Sequence, residues 1–98
     1  MRKEITILAN AYYENLRIVK ESLANIRKHS DKDVTDASEI CSRIEYEIEN
    51  IGNDIDSYVL KHVILKRKGF KDIENISAST YYRHLDSAFD KLVNRLRS

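Results

Sequence analysis

Proline is absent from these 98 residues, and glycine occurs only at Gly52 and Gly69. Both residue types interrupt helices, so their scarcity predicts long helices with few breaks. A single cysteine, Cys41, excludes an internal disulfide; it fits a reducing, intracellular setting. No apolar run approaches the roughly 18–20 residues of a membrane span, so no membrane partner is expected. The stretch Ile5-Thr6-Ile7-Leu8-Ala9 is too short for a signal-peptide core, and Asn10 and Glu14 follow it. A cytoplasmic location is therefore expected. There is no glycine-rich loop to cradle a phosphate. Nor is there a histidine or cysteine at metal spacing from His29, His62 or His84, so no metal and no cofactor are expected.

What is present is charge, unevenly placed. A third of the residues are charged, yet the net charge is only +1. Residues 1–30 carry +3, residues 31–57 carry nine Asp/Glu against two Lys/Arg for −7, and residues 58–98 carry +5. A basic end beside an acidic middle suits a C-terminus that contacts DNA and a segment that faces protein or solvent. Glu39, Glu45, Glu47, Glu49, Asp54 and Asp56 scatter around a helix rather than converge. They read as a solvated face, with a protein-binding acidic face as the minor alternative. Cys41 lies on an apolar seam and reads as a small core residue rather than a nucleophile. Enzymatic activity is not expected.

Apolar residues recur at helical spacing throughout, so the expected fold class is all-α. The first helix is expected from about Lys3 to His29. Its seam is Ile5, Ala9, Tyr12, Leu16, Val19, Leu23 and Ile26, in alternating four- and three-residue steps. A second helix is expected near Thr35 or Asp36, with Asp36 and Glu39 in capping-box spacing. Its seam is Ala37, Cys41, Ile44, Ile48, Ile51 and Ile55, a register that extends to Tyr58, His62 and Leu65. Gly52-Asn53 predicts a break. A third helix follows over about Asp54 to Lys68, with Gly69 as its C′ residue. A short helix or turn is expected around Lys71–Asn75. The last helix begins after Ser77, with Tyr81, Leu85, Ala88, Leu92 and Leu96 inward. Residues 1–53 thus form a helical hairpin for dimerisation or protein contact, and 54–98 a helix-turn-helix DNA-binding region.

Ser77 is placed as the N-cap of the last helix. With Tyr81 and Leu85 facing the core, Ser79, Thr80, Tyr82 and Arg83 are the residues of its first turns left for a ligand. Arg83 can pair bidentately with a guanine edge or clamp a phosphate. The hydroxyls of Ser79 and Thr80 suit phosphate or base contacts. Lys66, Arg67, Lys68 and Lys71 would neutralise phosphates and make binding salt-dependent. Tyr12 and Tyr58 are expected in the core.

The run Ile76-Ser77-Ala78-Ser79-Thr80-Tyr81-Tyr82-Arg83-His84-Leu85-Asp86-Ser87-Ala88-Phe89-Asp90-Lys91-Leu92 resembles the C-terminal helix-turn-helix of sigma-factor region-four-like proteins. It shares the form Ser-x-x-Thr-apolar-x-Arg-x-x-x-x-Ala-x-x-x-Leu. The tandem Tyr81-Tyr82-Arg83, the small size and the preceding helical segment resemble the ArpU/RinA-like family of phage transcriptional regulators. The resemblance covers roughly residues 55–96. It implies a sequence-specific DNA-binding regulator of a phage or mobile element, with the last helix in the major groove. Ile73 stands only four residues before Ser77, closer than in that pattern, so the first helix of the motif is expected to be short or to start earlier.

The expected partners are double-stranded DNA, a second copy of the chain in a homodimer, and RNA polymerase. Ile7, Leu8, Tyr13 and Ile18 lie off the first seam and offer surface for a second copy. Two alternatives remain open from the residues alone. One is a helical protein-interaction module, an adaptor or inhibitor of a host protein, without DNA binding. The other is a small terminase-type DNA-packaging subunit, against which the C-terminal position of the motif argues.

Overall fold

The structure, a computed structural model, describes residues 2–98. It is all-α, with no strand among the described residues. The hairpin consists of α1 (Lys3–Leu23) and α2 (Asp31–Glu49), followed by α3 (Asp54–Leu60). A single π-helical turn, Lys61–Leu65, continues α3. A 3-10 turn, Phe70–Asp72, precedes the last helix, α4 (Ala78–Leu96).

The first helix ends at Leu23, well short of His29. Asn25 adopts a left-handed conformation at φ 62°, and the amide of Ile26 closes on the carbonyl of Glu21 at 2.9 Å. This is a Schellman-type stop, with Asn where glycine is more usual. Leu23 and Ile26, placed on the seam by spacing, are exposed as a result. The second helix starts earlier than the Asp36–Glu39 pair implies. Ser30 is its N-cap and accepts from the amide of Asp33 at 3.1 Å, while Asp31 and Asp33 place negative charge in the first turn, where the helix dipole favours it.

The break at Gly52-Asn53 is real and resets the register. Gly52 sits at φ 93°, and the side chain of Asn53 accepts from the amides of Ile55 and Asp56. The new helix presents Asp56, Val59, Leu60, Val63 and Ile64 inward. Ile55 and Tyr58, expected inside, are 44% and 46% exposed. The third helix does not end on Gly69 either. Arg67 takes the left-handed position at φ 53°, and the amide of Lys68 reaches back to the carbonyl of His62 at 2.9 Å. That closing bond spans one residue more than an ordinary Schellman bond, because the π turn holds one extra residue. Gly69 itself is extended.

One continuous core crosses residue 53. Ile5 and Tyr12 from α1 and Cys41, Ile44 and Ile48 from α2 pack with Val59, Leu60, Val63 and Ile64 and with Tyr81, Leu85, Ala88, Phe89 and Leu92 of α4. Each fully buried aliphatic side chain there contributes about 1.5–3 kcal/mol. Polar ties reinforce the layers. Tyr12 donates to Glu45 at 2.8 Å. Arg2 pairs with Asp90 at 2.7 Å and lies over the Phe89 ring.

Candidate nucleic-acid interface

α4 begins where the Ser77 cap places it. The amide of Thr80 donates to Ser77 Oγ at 3.3 Å, and the Ser77 hydroxyl donates to Thr80 Oγ1 at 2.9 Å. Tyr81 and Leu85 turn into the core. That leaves Ser79, Tyr82 and Arg83 outward, with Thr80 half-buried. Tyr82 is 44% exposed, its ring edge-on to Tyr81 at 4.9 Å. Among the described residues Arg83 makes no side-chain hydrogen bond and no ion pair, so its guanidinium is free for a ligand.

The basic connector meets this end of α4 through Phe70, whose ring lies 5.4 Å from Tyr81 and 6.2 Å from Tyr82. Lys71 follows Phe70 in the same 3-10 turn and is exposed, as are Lys66 and Lys68. The short element expected over Lys71–Asn75 is this one turn, Phe70–Asp72. Arg67 departs from its neighbours. Its guanidinium lies over the Tyr13 ring at 4.4 Å and donates to Asn10 Oδ1 at 2.9 Å. It ties the connector to α1, leaving Lys66, Lys68 and Lys71 as the connector's outward cations.

Beneath this surface is a group that spacing does not single out. Asp56 is only 2% exposed, although its position in the acidic segment predicts a solvated side chain. It accepts from His84 Nδ1 at 2.8 Å and from Lys91 Nζ at 2.9 Å. Burial alone would raise its pKa; the hydrogen bonds and charge of Lys91 and His84 outweigh burial and hold it below the usual carboxylate range. His84 and Lys91 lie two turns apart on one face of α4, so the carboxylate fixes both the height and the rotation of α4 against α3. Glu47 is the second buried acid. It faces Arg95 at 3.3 Å and Arg43 at 4.0 Å, and Arg43 also donates to the carbonyls of Arg95, Leu96 and Ser98. The end of α4 is thereby fastened to α2.

The remaining candidates are quiet. The thiol of Cys41 is buried and donates to the carbonyl of Tyr12 at 3.8 Å; burial, with the charge of Glu45, pushes its pKa up, which disfavours the thiolate. Tyr12 is buried, as expected. His62 is buried and stacks on Tyr58 at 6.1 Å, with Nε2 unpartnered. Among the described residues no three His, Cys, Asp or Glu side chains converge for a metal.

Compared with known proteins, the chain matches no family model, no curated protein and no solved structure.

Proposed function

We propose that this chain is a sequence-specific DNA-binding transcriptional regulator of a phage or mobile element, with α4 entering the major groove. The observation that carries the reading is the composition of one surface. An unpaired arginine, an exposed tyrosine and the exposed Ser79 hydroxyl project from the first turns of a long helix capped by Ser77. Lys66, Lys68 and Lys71 are exposed on the connector that Phe70 holds against those same turns. A long helix with free polar side chains near its N-terminus suits readout of base edges, and flanking lysines suit phosphate contact. The resemblance to region-four-like and ArpU/RinA-like proteins points the same way. The one-turn element Phe70–Asp72 stands for the short first helix of the motif.

In this reading Arg83 reads a base, Ser77, Ser79 and Thr80 contact the backbone, and Tyr82 packs against sugar or a thymine methyl. The chain acts in the cytoplasm as a homodimer, for which Ile7 and Leu23 offer exposed apolar surface on α1, and its hairpin contacts RNA polymerase. Its task is binding, not catalysis.

The test is titration of a labelled duplex pool by wild type and by Arg83→Ala. Selective loss of affinity for preferred sequences, with affinity for the bulk pool kept, is the expected result. Equal affinity for every sequence in wild type and variant alike would overturn the reading.

A further inference from the structure

At the far end of α4, roughly 28 Å from Ser77 by helical rise, lies a surface that DNA binding does not use. Leu8 of α1, Ile40 and Ile44 of α2 and Leu96 of α4 line an open groove of about 780 Å³. Its floor is apolar, and Ile40 is 43% exposed on it. Three charged side chains also line it: Asp36, Glu39 and Arg43. The arginine is occupied, since its guanidinium donates to the carbonyls of Arg95, Leu96 and Ser98 and faces Glu47. Glu39 has no ion pair among the described residues, and Asp36 has only the exposed Lys32 at 3.5 Å. The charge the groove offers a visitor is therefore negative.

From this we infer that the groove docks a basic amphipathic helix of a partner protein. An apolar trough of this kind accepts the apolar stripe of a helix, and carboxylates along its lip select lysine or arginine flanks. A second copy of this chain is the poorer occupant. A two-fold contact uses the same patch on both subunits, so it would gather Asp36 and Glu39 of both copies into one interface, within a segment of net charge −7.

The experiment uses the full chain and two labelled synthetic helices that share one leucine face, one flanked by lysine and the other by glutamate. Binding is read by fluorescence anisotropy at low and high salt. The lysine helix binds, and added salt weakens it. Ile40→Ser weakens it about tenfold, with the thermal melt of the variant confirming its fold. Asp36→Lys with Glu39→Lys transfers the preference to the glutamate helix. Equal binding of both helices, binding of neither, or indifference to both sets of substitutions overturns the proposal. So does a wild-type dimer that Ile40→Ser converts to monomer, because the occupant would then be a second copy.

Discussion

Arg83 is the residue on which the DNA reading turns, because it is exposed, unpaired and one turn into a capped helix. Arg83→Ala should weaken binding to a preferred site by about 1–3 kcal/mol and leave the thermal midpoint unchanged. Asp56 plays the opposite part: buried beneath the proposed contact surface, it holds α4 in place through His84 and Lys91. Its replacement removes the carboxylate that both His84 and the half-exposed Lys91 donate to, so Asp56→Asn should cost about 1–3 kcal/mol. The pH dependence has a definite sign. A carboxylate whose pKa is lower in the folded chain than in the unfolded one contributes stability that is complete above the unfolded value and lost as pH falls through the folded value. The wild type should thus lose stability as pH drops below the ordinary aspartate value of 3.8, and Asp56→Asn should reduce that loss in denaturant titrations run at several pH values. Glu21, also held low because Arg17 and His29 outweigh its burial, should keep the remaining slope from vanishing. At this scale the outward residues Ser79, Tyr82 and Arg83 were legible, because Tyr81 and Leu85 fix the phase of α4. Asp56 was not, because its partners lie 28 and 35 residues away and nothing local distinguishes it from the solvated acids around it. The place of Arg67 was hidden for the same reason, its partners Tyr13 and Asn10 being on α1.

Among the elements, helix existence was easier to read than helix ends. Long uninterrupted periodicity announces α1, α2 and α4, whereas α1 stops on Asn25 with neither glycine nor proline to mark it. Leu23 and Ile26 continue the apolar spacing past the true end. Ser30 followed by Asp31 and Asp33 is a cap signal that a polar run concealed. The seam carried across Gly52 failed because a helix restarted by a new cap takes its own phase. Ile55 and Tyr58 moved outward, and Asp56 and Leu60 moved in. Gly52 is the hinge of that change, and a Cβ there would meet nothing within 4 Å. The penalty of Gly52→Ala is therefore conformational: the positive φ should cost about 1–2 kcal/mol, seen as a lower thermal midpoint with unchanged helix content by circular dichroism. Removing the Ser77 cap with Ser77→Ala should cost about 1 kcal/mol and fray the turn that carries Ser79 and Thr80.

Across the whole molecule, the hairpin and the C-terminal helices share one core, so the start of α4, proposed to face DNA, is as rigid as the packing of α1, α2 and α3 against it. Charge is arranged along the same body: cations without an ion pair among the described residues lie on the connector and the first turns of α4, and Asp36 and Glu39 line the groove near Leu96. The salt dependence of DNA binding should report this arrangement. Replacing Lys66, Lys68 and Lys71 with Gln should reduce the slope of log affinity against log salt by about 0.9 for each phosphate that is no longer neutralised. Arg67→Gln alone should leave that slope nearly unchanged and lower the thermal midpoint, since Arg67 is spent on Tyr13 and Asn10. The all-α class and the order of helices were visible in the periodicity; the acidic groove was not, because it forms only where three separated segments meet. The most direct test of the central claim is selection from a random duplex library, with sequencing, at two salt concentrations. A DNA-reading α4 predicts enrichment of a defined motif that persists at the higher salt, with two half-sites about one helical turn apart if the protein binds as a dimer. Absence of binding even at low salt would contradict the account and leave a helical protein-interaction module as the reading of this fold.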